Sequence, residues 1–159
     1  LGDVYKRQTG IALFYQGQVI YNGVLEPVNG NYYSAYQDLA YCNNQVLRVN
    51  DKLPADHGII ALSSSASRYA DLRQRFGGVR RFGSALLTQC WVASGKLACA
   101  VFAGLYYWDI APAYLIMQNS GIIIDGFAGF AQDSLKIKND IICASQDILT
   151  QIHDSKNQA

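Results

Sequence analysis

Histidines, paired cysteines and long apolar runs are scarce in this sequence, and each scarcity removes a class of function. The two histidines, His57 and His153, lie in unrelated segments, and Cys42, Cys90, Cys99 and Cys143 form no CxxC. No zinc site of known spacing can be written from them. Widely spaced thiols read instead as buried and reduced, which points to a cytoplasmic protein. The longest apolar runs, such as Ala98 to Leu105, fall far short of the ~20 residues that span a bilayer, so no membrane partner is expected. A net charge of +1 offers no basic field for nucleic acid and no acidic tail. Gly-x-Ser-x-Gly and the P-loop are both absent, and nothing sets either histidine beside a nucleophile. The Ser63-Ser64-Ser65 run reads as a loop and helix cap.

What is present is a chain able to build a core: 159 residues, 50% hydrophobic and 16% charged. Asp3-Val4-Tyr5-Lys6-Arg7-Gln8 matches the translation of a transposase end used in sequencing libraries, and no Met opens the chain. Residues 1–8 are therefore expected to be a sequencing-adapter scar, and the rest a piece of a longer protein. From Gly10 the pattern is β-rich: Ile11 to Tyr15, a turn at Gln16-Gly17-Gln18, Val19 to Leu25, then Asn31 to Tyr36 and Gln45 to Val49. The polar stretch Asn50 to His57, with Pro54, is the expected boundary between a β-rich part (9–52) and an α/β part (53–159).

In the second part strands alternate with helices. A strand over Gly58 to Leu62, a helix over Ser67 to Phe76 and a helix from Gly83-Ser84 to a stop at Gly95 are expected. A strand over Leu97 to Phe102 follows, then a buried helix after Asp109, with Pro112 tolerated in its first turn. The strands Ile122 to Asp125 and Asp140 to Ala144 and a helix from Ser145 to His153 complete the pattern.

Two places carry candidate chemistry. Gly83-Ser84-Ala85 opens a helix with small residues, so backbone N–H groups and a hydroxyl can approach a ligand, although a plain Ser N-cap accounts for the pattern equally simply. Asp109 reads as a helix N-cap on its own, or as one ligand of a hard divalent cation.

The order of these pieces narrows the choice. Gly23-Val24, Ala40-Tyr41-Cys42-Asn43-Asn44, Arg80-Arg81-Phe82-Gly83-Ser84-Ala85, Val92-Ala93-Ser94-Gly95 and Tyr107-Trp108-Asp109-Ile110-Ala111 resemble, in order and spacing, the C-terminal half of the inositol monophosphatase family. The resemblance implies a layered αβαβα sugar-phosphatase fold, an α/β class. This chain would hold trailing antiparallel strands of the N-terminal sheet and a complete C-terminal α/β domain. It implies Mg²⁺ as cofactor, Asp109 as a metal ligand, and Gly83, Ser84, Ala85 and Phe102 on the substrate side. Arg80 and Trp108 would support the site without touching the substrate. The implied partner is a small phosphorylated sugar or polyol, and a homodimer stays open. The family's upstream Glu-Glu segment and Asp-Pro-x-Asp-Gly-Thr motif do not occur in these residues, so the chain by itself is expected to be inactive. Phe102 stands where inositol phosphatases carry a Glu, and Asn119-Ser120-Gly121-Ile122 replaces Glu-Ala-Gly-Gly, which points away from inositol itself. The other reading is a non-catalytic relative, a ligand-binding or scaffolding protein on the same fold.

Overall fold

The computed structural model describes residues 8–49, 58–63, 65–130 and 135–156. Residues 1–7 of the expected scar and the boundary segment Asn50 to His57 lie outside them.

The first part is an antiparallel meander of five strands in chain order: β1 (Thr9–Tyr15), β2 (Gln18–Glu26), β3 (Asn31–Tyr36), β4 (Leu39–Cys42) and β5 (Gln45–Val46). Its turns need residues that accept positive φ. Gln16 and Gly17 supply them at +49° and +78°, and Asn43 and Asn44 at +48° and +69°. β4 is the strand that composition hides, because its four residues carry no alternation of apolar and polar side chains.

The second sheet has the order β7-β6-β8-β10-β9, built from β6 (Ile59–Leu62), β7 (Gly78–Arg80), β8 (Cys99–Phe102), β9 (Ile123–Asp125) and β10 (Ile141–Ala144). β6 runs parallel to β7 and β8, whereas β10 runs antiparallel to β8 and β9. Both faces of this sheet are covered, which explains its nearly continuous apolar strands. Ala61, Ala100, Phe102, Ile141 and Cys143 face inward to α1 (Ala85–Ala93), α2 (Tyr107–Ile110) and α3 (Tyr114–Asn119). Ile60, Leu62, Cys99, Val101, Ile142 and Ala144 face the other way. They pack there on Leu72 and Phe76, in and just after a 3₁₀ segment (Ser67–Gln74), and on Ile148, Leu149 and Ile152 of α4 (Gln146–Lys156).

The inner helices are shared with the first sheet, whose Val24, Tyr33, Ala35 and Ala40 join the same core. The described layers are thus sheet, helices, sheet, helices. The remaining face of the first sheet is open, and Ile11, Leu13, Leu25, Tyr32 and Tyr36 are each at least 40% exposed on it.

Three expectations change on the structure. The segment expected as an α-helix over Ser67 to Phe76 is a 3₁₀ helix with a kink at Tyr69, capped by no side chain. Ser63 and Ser65 bond to Ala103 instead, so neither supplies the oxygen acceptor that would start an α-turn. Gly78–Arg80, where the sequence marks no element, is an edge strand. The helix after Asp109 is not continuous: α2 ends at Ile110, a 3₁₀ turn holds Ala111–Ala113, and α3 resumes at Tyr114. Pro112 supplies no N–H, and Asn22 of β2 enters the gap. The Asn22 Nδ2 donates to the Ala111 carbonyl at 2.7 Å, and its Oδ1 accepts from the Leu115 N–H at 2.7 Å. One amide thus replaces the i to i−4 bond that a helix would have made there.

Cys90, Cys99 and Cys143 are buried and free, as expected, whereas Cys42 on the short strand β4 is free but only partly buried. Burial pushes the Cys99 thiol up to about 12. Such a raised value stabilises the fold below the unfolded thiol's pKa and loses that contribution as pH climbs toward the folded one. We expect urea-unfolding stability to fall progressively above about pH 9, and Ellman's reagent to reach these three thiols only on unfolding; rapid labelling of the native protein would contradict the burial. The open aromatic face predicts concentration-dependent association of the chain, so a clean monomer in sedimentation would count against its exposure.

Candidate active site

Three parallel strands, β7, β6 and β8, end side by side, and the loops that leave them are where an open α/β sheet gathers its ligands. A cleft of about 220 Å³ lies there, lined by Leu62, Ser63, Phe82, Gly83, Ala85, Thr88, Phe102 and Leu105 among others. Gly83, Ala85 and Phe102, expected on the substrate side from sequence, therefore line one cavity. Ser84 does not line it. It is 3% exposed, and its Oγ accepts the Leu87 N–H at 3.1 Å. The hydroxyl serves as the N-cap of α1, which leaves the first backbone N–H groups of that helix at the rim.

The loops are tied together by serines whose role the sequence does not show. Ser63 Oγ accepts from the Ala103 N–H at 3.1 Å, and Ser65 Oγ donates to the Ala103 carbonyl at 2.9 Å. The loop after β6 thus holds the loop after β8, a contact separated by about forty positions that periodicity cannot reveal. On the far side of that loop, the Tyr107 N–H donates to the Leu135 carbonyl and the Ile137 N–H to the Leu105 carbonyl, both at 2.9 Å.

Asp109 follows at the third residue of α2, and not at the N-cap as expected. Tyr106 takes the cap position. The Asp109 Oδ2 reaches back to accept the Tyr106 N–H at 2.9 Å, while its own N–H donates to the Tyr106 carbonyl at 3.0 Å. This is the acidic half of a capping box, and the shift arises because an N3 carboxylate satisfies the same orphan donors from inside the helix. Asp109 is partly exposed and is not among the residues lining the cleft. Trp108 is 55% exposed and stacks on Tyr106 at 4.5 Å between ring centroids. Arg80 is exposed, its guanidinium donating to the Val79 carbonyl at 3.0 Å. Asn119 is spent on structure: its Nδ2 donates to the Gln37 and Leu39 carbonyls at 3.0 and 3.2 Å and holds the β3–β4 turn.

A model of the inositol monophosphatase family matches residues 9–158. The chain belongs to that family. It is similar to the inositol-1-monophosphatase of Caulobacter vibrioides, 37% identical over 50% of this chain and 30% of the relative. It is also similar to the putative Nus factor SuhB of Neisseria meningitidis serogroup B, 28% identical over 89% of this chain and 58% of the relative. Among solved structures, the extragenic suppressor protein SuhB of Bartonella henselae superposes with a TM-score of 0.79 at 25% identity, covering 91% of this chain and 62% of that one. The chain thus spans from about a third to three fifths of the lengths it matches, and the α/β expectation agrees with the fold of its family.

Inositol monophosphatases use Mg²⁺, and the donor chemistry here fits one of its ligand positions. Mg²⁺ takes hard oxygens and commonly only one or two protein carboxylates, with water and phosphate completing the shell. Asp109 offers a partly exposed carboxylate of that kind. Among the described residues no group of three His, Cys, Asp or Glu side chains converges, so no closed metal cage is formed by them.

Ser84→Ala removes the cap of α1 and leaves the Leu87 N–H without its acceptor. A loss of about 1 kcal/mol in unfolding free energy is expected, measured by urea titration; no loss would show that the cap is redundant.

Proposed function

We propose that this chain forms the substrate-side portion of a Mg²⁺-dependent phosphomonoesterase that acts on a small phosphorylated sugar or polyol. The observation that carries the reading is the cleft at the ends of the parallel strands, where Gly83, Ala85 and Phe102 meet. When bound, Mg²⁺ would supply the Lewis acidity that activates water and neutralises the leaving oxygen. Asp109 would hold one such ion through a carboxylate already oriented by the Tyr106 N–H. The start of α1 would face the substrate with backbone N–H groups, whose partial positive charge favours an anion. Phe102, 5% exposed, and Leu105 would form an apolar wall that excludes water and accepts no hydrogen bond from a substrate hydroxyl. That wall favours a substrate with an apolar edge or fewer hydroxyls over inositol phosphate. Arg80 and Trp108 would brace the loops. The family's other carboxylate motifs do not occur in this sequence, so the chain alone would be inactive and its activity would belong to a longer protein in the cytoplasm.

A second reading follows from what the polar groups do. Asn119 is committed to the β3–β4 turn, Ser84 to a cap and Phe102 to the core, and these commitments suit a protein that kept the fold for binding or scaffolding.

Phosphate release from a panel of sugar and polyol phosphates, with the full-length protein, separates the two. Turnover that requires Mg²⁺ and falls at least ~100-fold in Asp109→Asn with an unchanged melting temperature is expected. Turnover indifferent to Asp109→Asn would remove this residue from the metal site, and no turnover on any substrate would favour the scaffold.

A further inference from the structure

Asp109 belongs to a helix of four residues, too short to hold a side chain in place by its own hydrogen bonds. Two buried amides from other elements do that work. Gln89 of α1 is 0% exposed, and its Nε2 donates to the Ala85 carbonyl at 3.1 Å and to the Asp109 carbonyl at 2.7 Å. Asn22 of β2, also 0% exposed, occupies the helix break two residues further on, between the Ala111 carbonyl and the Leu115 N–H. The segment from Asp109 to Leu115 is therefore gripped from α1 on one side and from the first sheet on the other.

The chemistry of Gln89 separates this grip from ordinary core packing. Its amide is fixed in orientation, because a flip would set Oε1 against two carbonyl oxygens. In the orientation it holds, Oε1 is buried without a hydrogen-bond partner. A buried acceptor left unsatisfied is a cost to the fold, and a methionine would occupy similar space without it. A methionine would also withdraw the donor from the Asp109 carbonyl, so what glutamine gives in return for its unpaired oxygen is a directed hold on Asp109. Ala85, the other carbonyl that Gln89 binds, lines the cleft, so one side chain links the cleft rim to Asp109.

We propose that Gln89 and Asn22 are positioning residues for Asp109. Gln89 fixes the Asp109 carbonyl, Asn22 fixes the turn that follows, and together they keep the carboxylate in the single orientation seen on the Tyr106 N–H. This deepens the reading of Asp109 as a metal ligand and rests on that reading for its functional meaning.

The test compares the wild-type protein with Gln89→Met by thermal melting, by amide hydrogen exchange of Tyr106, and by Mn²⁺-induced broadening of the Asp109 and Ile110 amide resonances. The expected result is a melting temperature within about 4 °C of wild type, Tyr106 exchange faster by about five- to tenfold while α1 and β8 exchange as before, and about tenfold more Mn²⁺ needed for equal broadening. Unchanged Tyr106 exchange would overturn the proposal. So would a lowered melting temperature with uniformly faster exchange across α1 and β8, the mark of a structural role. Asn22→Leu, which frees Ala111 and Leu115 to pair with each other, is expected to give the same two shifts; if it leaves both unchanged, Asn22 has no positioning role and the paired proposal fails. If Mn²⁺ leaves the wild-type Asp109 resonance untouched, the metal-ligand reading fails, and Tyr106 exchange, which needs no metal, still decides the positioning.

Discussion

Among the contacts that join the two parts of this protein, one buried amide is bonded at both ends. Asn22 comes from the second strand of the meander, yet its donor and acceptor complete the backbone of the helical segment that carries Asp109. The interaction answers a problem that the sequence itself creates. Pro112 cannot donate and the α-turn around it breaks; the Ala111 carbonyl still accepts the Tyr114 N–H in the 3₁₀ turn, but the Leu115 N–H donates to the Asn22 side chain. The amide serves both groups at once, its Nδ2 on the Ala111 carbonyl and its Oδ1 on the Leu115 N–H. Beside that contact the first sheet docks on the inner helices, and through them on the second sheet, by way of Val24, Tyr33, Ala35 and Ala40.

The candidate site inherits its geometry from this arrangement. Three parallel strand ends bring the loops together, the pair Ser63 and Ser65 fastens the first loop to the one after β8, and residues 135 to 137 fasten that loop from its other side. The result is a cleft whose walls are backbone and apolar rings, with its polar side chains turned to structural work. Such a site suits recognition by shape and by helix N–H groups. Membership of the family supports the phosphate ester hydrolysis proposed for it, with Asp109 as the contribution proposed for this chain.

Much of this was legible in the residues. Period-two alternation and the Gln16-Gly17 and Asn43-Asn44 turns mark the meander, and Ser84 and Gly95 mark both ends of α1. The motifs around Gly83 and Asp109 named the family because they are local, a few residues each, and keep their order. What escaped was long-range or short. β7 has three residues, too few to show a period. The break after Ile110 depends on Asn22, some 89 positions away, so Pro112 alone reads as a harmless first-turn residue. Ser63 and Ser65 look like a cap until their partner at Ala103 is known. Gln89 looks like one polar residue in an apolar helix, and only the Asp109 carbonyl at 2.7 Å gives it a purpose.

The central claim is that Asp109 holds a divalent cation beside the cleft. Anomalous diffraction from crystals of the protein grown with Mn²⁺ and phosphate tests it most directly. The account predicts a manganese peak about 2.1 Å from an Asp109 carboxylate oxygen, the spacing of a hard cation on oxygen. A map with no manganese at Asp109, while the ion is found elsewhere in the same crystal, would contradict it.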